Sequence, residues 1–107
     1  MAIAYLQEFK IQGGDTSTTN YDAVSAALNL QEAPDGLLIH TAGFDHDAGV
    51  FRILDVWETR EHGEKFITEK LNPIIERMGA EAAGKGDETF TPPTRDTWYD
   101  LHDSMTG

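Results

Sequence analysis

The stretch Val50-Phe51-Arg52-Ile53-Leu54-Asp55-Val56-Trp57-Glu58-Thr59, running directly into Arg60-Glu61-His62-Gly63-Glu64-Lys65-Phe66, decides the fold. Its first part is β-branched and aromatic, the composition of a strand. Thr59 then stands where a helix N-cap is wanted, and Glu61 sits where the helix dipole favours an acid. Strand becomes helix with no loop between. Just upstream, Gly36-Leu37-Leu38-Ile39-His40-Thr41-Ala42 has the same strand character. Gly43-Phe44-Asp45-His46-Asp47-Ala48-Gly49 joins the two as a hairpin connection longer than the minimum. These segments read as the middle of a β-α-β-β-α-β chain.

The flanks complete it. Residues 2–11 predict a first strand, with Ile3, Tyr5, Gln7 and Phe9 on one face and Ala4, Leu6 and Glu8 on the other. Gln12 to Ser17 is a loop by composition. Thr19 followed by Asp22 opens a helix as a capping-box variant, and Tyr21, Val24, Ala27 and Leu28 give it an apolar stripe. Ala33-Pro34-Asp35-Gly36 is a turn in which Pro fixes φ and Gly accepts a positive one. The second strand spans 37–42 and the third 50–58. The second helix buries Phe66, Leu71, Ile74, Ile75 and Met78, with a kink or restart at Pro73 and an end near Gly79. Ala80 to Thr94, with Gly84, Gly86, Pro92 and Pro93, predicts a long loop: a flap, an interface arm or a disordered link. A fourth strand spans 97–103.

Composition narrows the function classes. A chain of 107 residues is expected to form one domain over 1–107. At this size a chain buries only about 65% of its unfolded surface, so a dimer interface would help stabilise it. Hydrophobic residues at 39% and charged residues at 25% fit an ordinary globular protein. The net charge of -11 repels phosphate backbones and anionic lipids, so neither nucleic acid nor a membrane is an expected partner. The chain has no cysteine, which excludes disulfides, thiolate metal sites and a Cys nucleophile and fits a cytoplasmic location. The start Met1-Ala2-Ile3-Ala4-Tyr5-Leu6-Gln7-Glu8 does not read as a signal peptide, and no apolar run approaches the roughly 20 residues of a membrane span.

The order of elements, the Val56-Trp57-Glu58 strand end, Phe66, the Leu71-Asn72-Pro73 step and a closing strand bearing His102 resemble the dimeric α/β-barrel superfamily, which includes the antibiotic-biosynthesis monooxygenase-like proteins. The resemblance covers residues 2–103. It implies an α+β, ferredoxin-like βαββαβ fold with an antiparallel four-stranded sheet, pairing with a second copy as a homodimeric barrel. It implies no single reaction, because that superfamily hosts cofactorless oxygenases, haem-degrading enzymes, isomerases, decarboxylases and stress-responsive proteins. The haem-degrading members use a Trp in the second helix, a His about ten residues later and an Asn on the first strand. This chain has Phe66, Glu76 and Gln7 near those places, so the haem set is absent.

Alternation sorts the candidate site residues. His40 opposes Leu37 and Ile39; Asp55 and Trp57 oppose Leu54 and Val56; Trp98, Asp100 and His102 oppose Tyr99 and Leu101. The expectation is that His40, His102, Asp55, Asp100, Trp57 and Trp98 look into the barrel interior as a polar cluster within an aromatic pocket. His40 and His102 are the candidate catalytic groups, and Asp55, Trp57, Trp98 and Asp100 the candidate substrate contacts. A base that ionises a phenol or enol, inside aromatic walls that exclude water, is what a cofactorless oxygenase needs for a planar organic substrate. No cofactor or metal is expected. His40, Asp55, Asp100 and His102 suit a divalent metal by ligand type but lack close metal spacing.

The alternative is a non-catalytic, ligand-binding or stress-associated dimer. There each His is hydrogen-bonded core, Asp55 pairs with Arg52 or His40, and the tryptophans are packing anchors. An enclosed cavity lined by His40 or His102, with no carboxylate accounting for the His, favours an enzyme. His46 in its Asp-His-Asp turn and His62 in the first helical turn read as surface groups. Neither a phosphate loop nor a serine nucleophile elbow is present.

Overall fold

The structure, a computed structural model, describes residues 2–105. In chain order it contains β1 (Ile3–Lys10), α1 (Thr19–Leu28), β2 (Leu37–Asp45), β3 (Val50–Trp57), α2 (Arg60–Phe66), a π-helical turn (Ile67–Leu71), α3 (Asn72–Gly84) and β4 (Arg95–Asp100). The four strands form one antiparallel sheet in the order β2-β3-β1-β4. This is the ferredoxin-like α+β arrangement.

The strand-to-helix junction forms as its sequence dictates. Thr59, extended at φ -141° and ψ 158°, accepts the His62 backbone N–H on its side chain and caps α2. Gly63 is the one buried residue of α2. It lets the helix close onto the sheet: a Cβ there would lie 2.7 Å from the Trp98 ring and 3.0 Å from Trp57. Trp57, 1% exposed, forms the core with Ile3 and Tyr5, and Leu37, Phe66, Ile67 and Trp98 pack around it. Tyr5 and Trp98, paired across β1 and β4, stack with centroids 4.3 Å apart.

Several sequence expectations are corrected. Pro73 sits in the first turn of α3, where its missing N–H costs little. The π-helical turn before it is followed by the expected restart of the helix; the end expected near Gly79 is not found, and α3 continues to Gly84. Residues 85–94 are therefore a shorter connection than expected. They are tied down: Asp87 accepts from the Thr89 backbone and hydroxyl, Asn20 of α1 donates to Thr89, and the Thr94 N–H donates to Glu8. β2 runs on to Asp45, and β4 occupies 95–100 and stops short of His102. Thr18, not Thr19, is the N-cap of α1, and its hydroxyl donates to Asp22 at 2.8 Å.

A bulge changes one face. The β2–β3 register shifts between Leu37 and Ile39, so Leu37 pairs with Trp57 while Ile39 pairs with Val56 and His40 with Asp55. Leu37 thus joins the Trp57 face, against simple alternation. Leu38 and Ile39 are left 55% and 51% exposed.

Candidate functional site

The face that carries His40, Asp55, Trp57 and Trp98 packs on the helices. That corrects the expectation that these residues look into a barrel interior. Trp57 and Trp98 meet α2 at Gly63, and Tyr21 of α1 reaches His40 and Phe51. The opposite face, with Leu6, Leu54, Val56, Ile39 and Tyr99, has no helix upon it among the described residues. The reason is pleat geometry: Tyr5 pairs with Asp55 on one side and Trp98 on the other, so the three share a face, and the bulky rings took the helix side.

On that side three groups form a hydrogen-bonded chain. His40 Nδ1 lies 2.5 Å from Asp55 Oδ1, and His40 Nε2 lies 2.6 Å from the Tyr21 hydroxyl. A carboxylate only accepts, so Nδ1–H donates to Asp55. In neutral His40 this leaves Nε2 as the acceptor for Tyr21 O–H. Each link has a structural origin. The β2–β3 register sets His40 against Asp55. The inward stripe of α1 lays Tyr21 parallel to the imidazole, with ring centroids 6.2 Å apart and an interplanar angle of 4°. Tyr21 also meets Phe51 edge-on, and Phe51 meets Phe44 the same way, giving the chain an aromatic border.

The electrostatics follow. The hydrogen bond to Asp55 pushes the His40 pKa above its ordinary value, outweighing the opposing effect of burial. The Tyr21 phenol is also raised, first by burial and then by the Asp55 and Asp22 carboxylates. Tyr21 is therefore a neutral donor, and His40 is the group of the three whose protonated form the site favours. Deeper in the core, burial and its bond to Asp96 hold the Tyr5 phenol well above its usual range.

Trp57 adds a second feature. Its indole N–H is buried and has no acceptor among the described residues. An unpaired buried donor costs about 1–3 kcal/mol, so an oxygen reaching it gains accordingly. Asp55 and Trp57 are two residues apart on one strand face, about 7 Å along the strand.

The remaining expected site residues fall elsewhere. His102 lies beyond β4, exposed, beside an open depression lined by Ala2, Leu101, Asp103 and Ser104. It does not join His40. Asp100 is exposed at the end of β4, opposite Ile3. Trp98 has Tyr5 on one side, and the Arg60 guanidinium lies 5.1 Å from its ring centroid. Among the described residues no group of three or more His, Asp or Glu side chains is set to hold a metal ion, so the four-residue metal reading loses its geometry. Asp55 pairs with His40 and not with Arg52, which bonds Glu8 and Asp45 on the other face. Tyr21 was read from the sequence only as part of an apolar stripe. Its hydroxyl on the inward face of α1 was the available signal.

No protein-family model and no curated protein sequence matches the chain. Solved structures do match along its whole length. Rv0793 from Mycobacterium tuberculosis is 15% identical, with 99% of this chain and 100% of that one covered at a TM-score of 0.63. A candidate antibiotic biosynthesis monooxygenase from Chloroflexus aurantiacus is 12% identical, covering 99% and 98% at 0.62. SnoaB from Streptomyces nogalater, a cofactor-independent oxygenase, is 12% identical, covering 99% and 98% at 0.58. At these identities the likeness is one of fold. The α+β fold of this chain is that of the antibiotic biosynthesis monooxygenase-like structures.

Proposed function

We propose that the chain is a small-molecule pocket protein that acts as a cofactorless oxygenase on a planar organic hydroxyl compound. The observation that carries this reading is the Tyr21–His40–Asp55 chain. Asp55 fixes the imidazole tautomer and stabilises the imidazolium, and Nε2 is left as the base. A substrate hydroxyl that takes the place of Tyr21 O–H, or donates to the Tyr21 oxygen as Tyr21 passes its own proton on, delivers one proton to Nε2. The products of this step are an imidazolium and an electron-rich organic anion, the form that reacts with dioxygen. The rings of Tyr21, Phe51 and Phe44 offer a planar substrate flat and edge contacts.

The working unit in this reading is a homodimer joined through the helix-free face of the sheet. Ile39 and Tyr99, 51% and 44% exposed, lie on that face. Burial of such a surface against a second copy would supply stability that a small chain lacks.

A second reading is a non-catalytic ligand-binding dimer. Two observations favour it: the Asp55 carboxylate accounts for His40, the outcome that the sequence reading assigns to a non-catalytic dimer, and both ring nitrogens of His40 already have protein partners. Dioxygen uptake with a panel of hydroxynaphthalenes, without added metal or flavin, separates the two. The oxygenase reading expects uptake by the wild type and its loss in His40→Gln. Uptake unchanged in that variant contradicts it.

A further inference from the structure

The sheet sorts its charges by face. Lys10, Arg52 and Arg95 are the basic residues of the strands, and the register puts all three on the helix-free face. There Glu8 bonds to Arg52 and lies 3.9 Å from Arg95, and Asp45 bonds to Arg52. The helix side of the sheet carries Asp55, Asp96 and Asp100 and no Lys or Arg. α1, which covers His40, has Asp22 as its single charged residue, directly after Tyr21. In the second helical segment Arg60 is held by Glu64 over Trp98, and Lys65, Lys70 and Arg77 are exposed. No fixed cation therefore faces the Tyr21–His40–Asp55 chain from the strands or from α1. On the strands and α1 the one positive charge available there is the imidazolium, which forms only when His40 takes a proton; Lys85, past α3, is exposed and lies toward Asp87. The imidazolium can balance one oxyanion and no more. A substrate that brings a carboxylate or phosphate of its own meets Asp55 and Asp22 unbalanced, within a chain of net charge -11.

We propose that the site selects an uncharged or cationic hydroxyaromatic and rejects one bearing a carboxylate or phosphate, with Asp22 as the specificity-determining residue at its edge. This rests on the functional reading above. Asp22 makes no hydrogen bond to His40: it is exposed on α1 beside an open depression with Ser25, Ala26, Asn29 and Leu30, its carboxylate accepts from Thr18, and it acts on the site through its charge, which reaches the adjacent Tyr21. Low salt strengthens the discrimination and high salt weakens it, because the edge of the site is open to solvent.

The test uses the full chain and three probes of one shape: 2-naphthol, 6-(aminomethyl)-2-naphthol and 6-hydroxy-2-naphthoate. Binding is read by calorimetry at low and high salt. The expected result is that the first two bind and the naphthoate binds at least about tenfold more weakly at low salt, with the gap narrowing as salt rises. Asp22→Lys should close most of that gap by improving the naphthoate alone. Asp22→Asn, which keeps a hydrogen-bonding side chain at the start of α1, should close part of it. Naphthoate binding as well as naphthol in the wild type, or a gap that neither variant changes, overturns the charge selection and leaves the site itself standing. Binding of none of the three overturns the functional reading and this inference together.

Discussion

His40 Nδ1 and Asp55 Oδ1 lie 2.5 Å apart although the residues are fifteen positions apart in the chain. Pairing of β2 with β3 sets them opposite each other, and the bulge at Leu38 is what lets Leu37 turn in toward Trp57 while His40 keeps its place. Because Asp55 raises the His40 pKa, the folded state favours the protonated ring. The stabilisation from this pair is complete below the ordinary histidine value, near 6.5, and is lost as pH rises through the raised folded value. Asp55→Asn should lower the His40 pKa in an NMR titration. It should also cost more thermal stability at pH about 6 than at pH about 9. Equal losses at both would contradict the assignment. If His40 is the base, the acid limb of the activity profile lies above the usual histidine range and moves down in the variant.

Tyr21→Phe removes one hydroxyl and keeps the ring against Phe51. The site is partly exposed, so folding stability should change by no more than about 0.5 kcal/mol. Turnover or ligand affinity should fall about 10- to 100-fold if the hydroxyl is part of proton transfer. Chemical denaturation and activity on the same sample separate these effects.

Gly63→Ala tests the close approach of α2. The new methyl would meet Trp98 at 2.7 Å and Trp57 at 3.0 Å. Overpacking costs about 1–3 kcal/mol, against a gain of about 1 kcal/mol from replacing a helical Gly by Ala. A lowered urea midpoint is the expected net result. A raised one would mean that the indole rings yield without cost.

The homodimer is tested at Ile39, half exposed on the face without helices. Light scattering of the wild type should give twice 11.8 kDa. Ile39→Lys should give a folded monomer, because the side chain is not part of the chain's own core. A wild-type monomer at micromolar concentration would remove the dimer from the account.

Much of the fold was legible because its signals are local. Thr59 caps α2, strand composition marks β2 and β3, and the element order follows from the Val50–Phe66 stretch. Pro73 marks the restart that the sequence predicts, because a residue without an amide N–H fits a first turn; the π-helical form of the turn before it is not legible, since periodicity does not report hydrogen-bond register. His40, Asp55 and Trp57 were correctly grouped on one face, since alternation within a regular strand is reliable. Which side of the sheet the helices cover is a tertiary fact, so the cluster's environment was reversed. His102 was drawn into the group by extending β4 past Asp100, where the strand ends. Tyr21 could not be linked to His40 from the sequence, because the packing of α1 on the sheet brings them together.

The most direct test of His40 as the group that engages a substrate hydroxyl is a ring-nitrogen NMR titration of the full chain with 2-naphthol. The account predicts a saturable shift of the His40 Nε2 signal, with His46 and His102 unmoved, and the loss of the shift in Asp55→Asn, where the tautomer is no longer fixed. Saturable naphthol binding that leaves the His40 signals unchanged would contradict it.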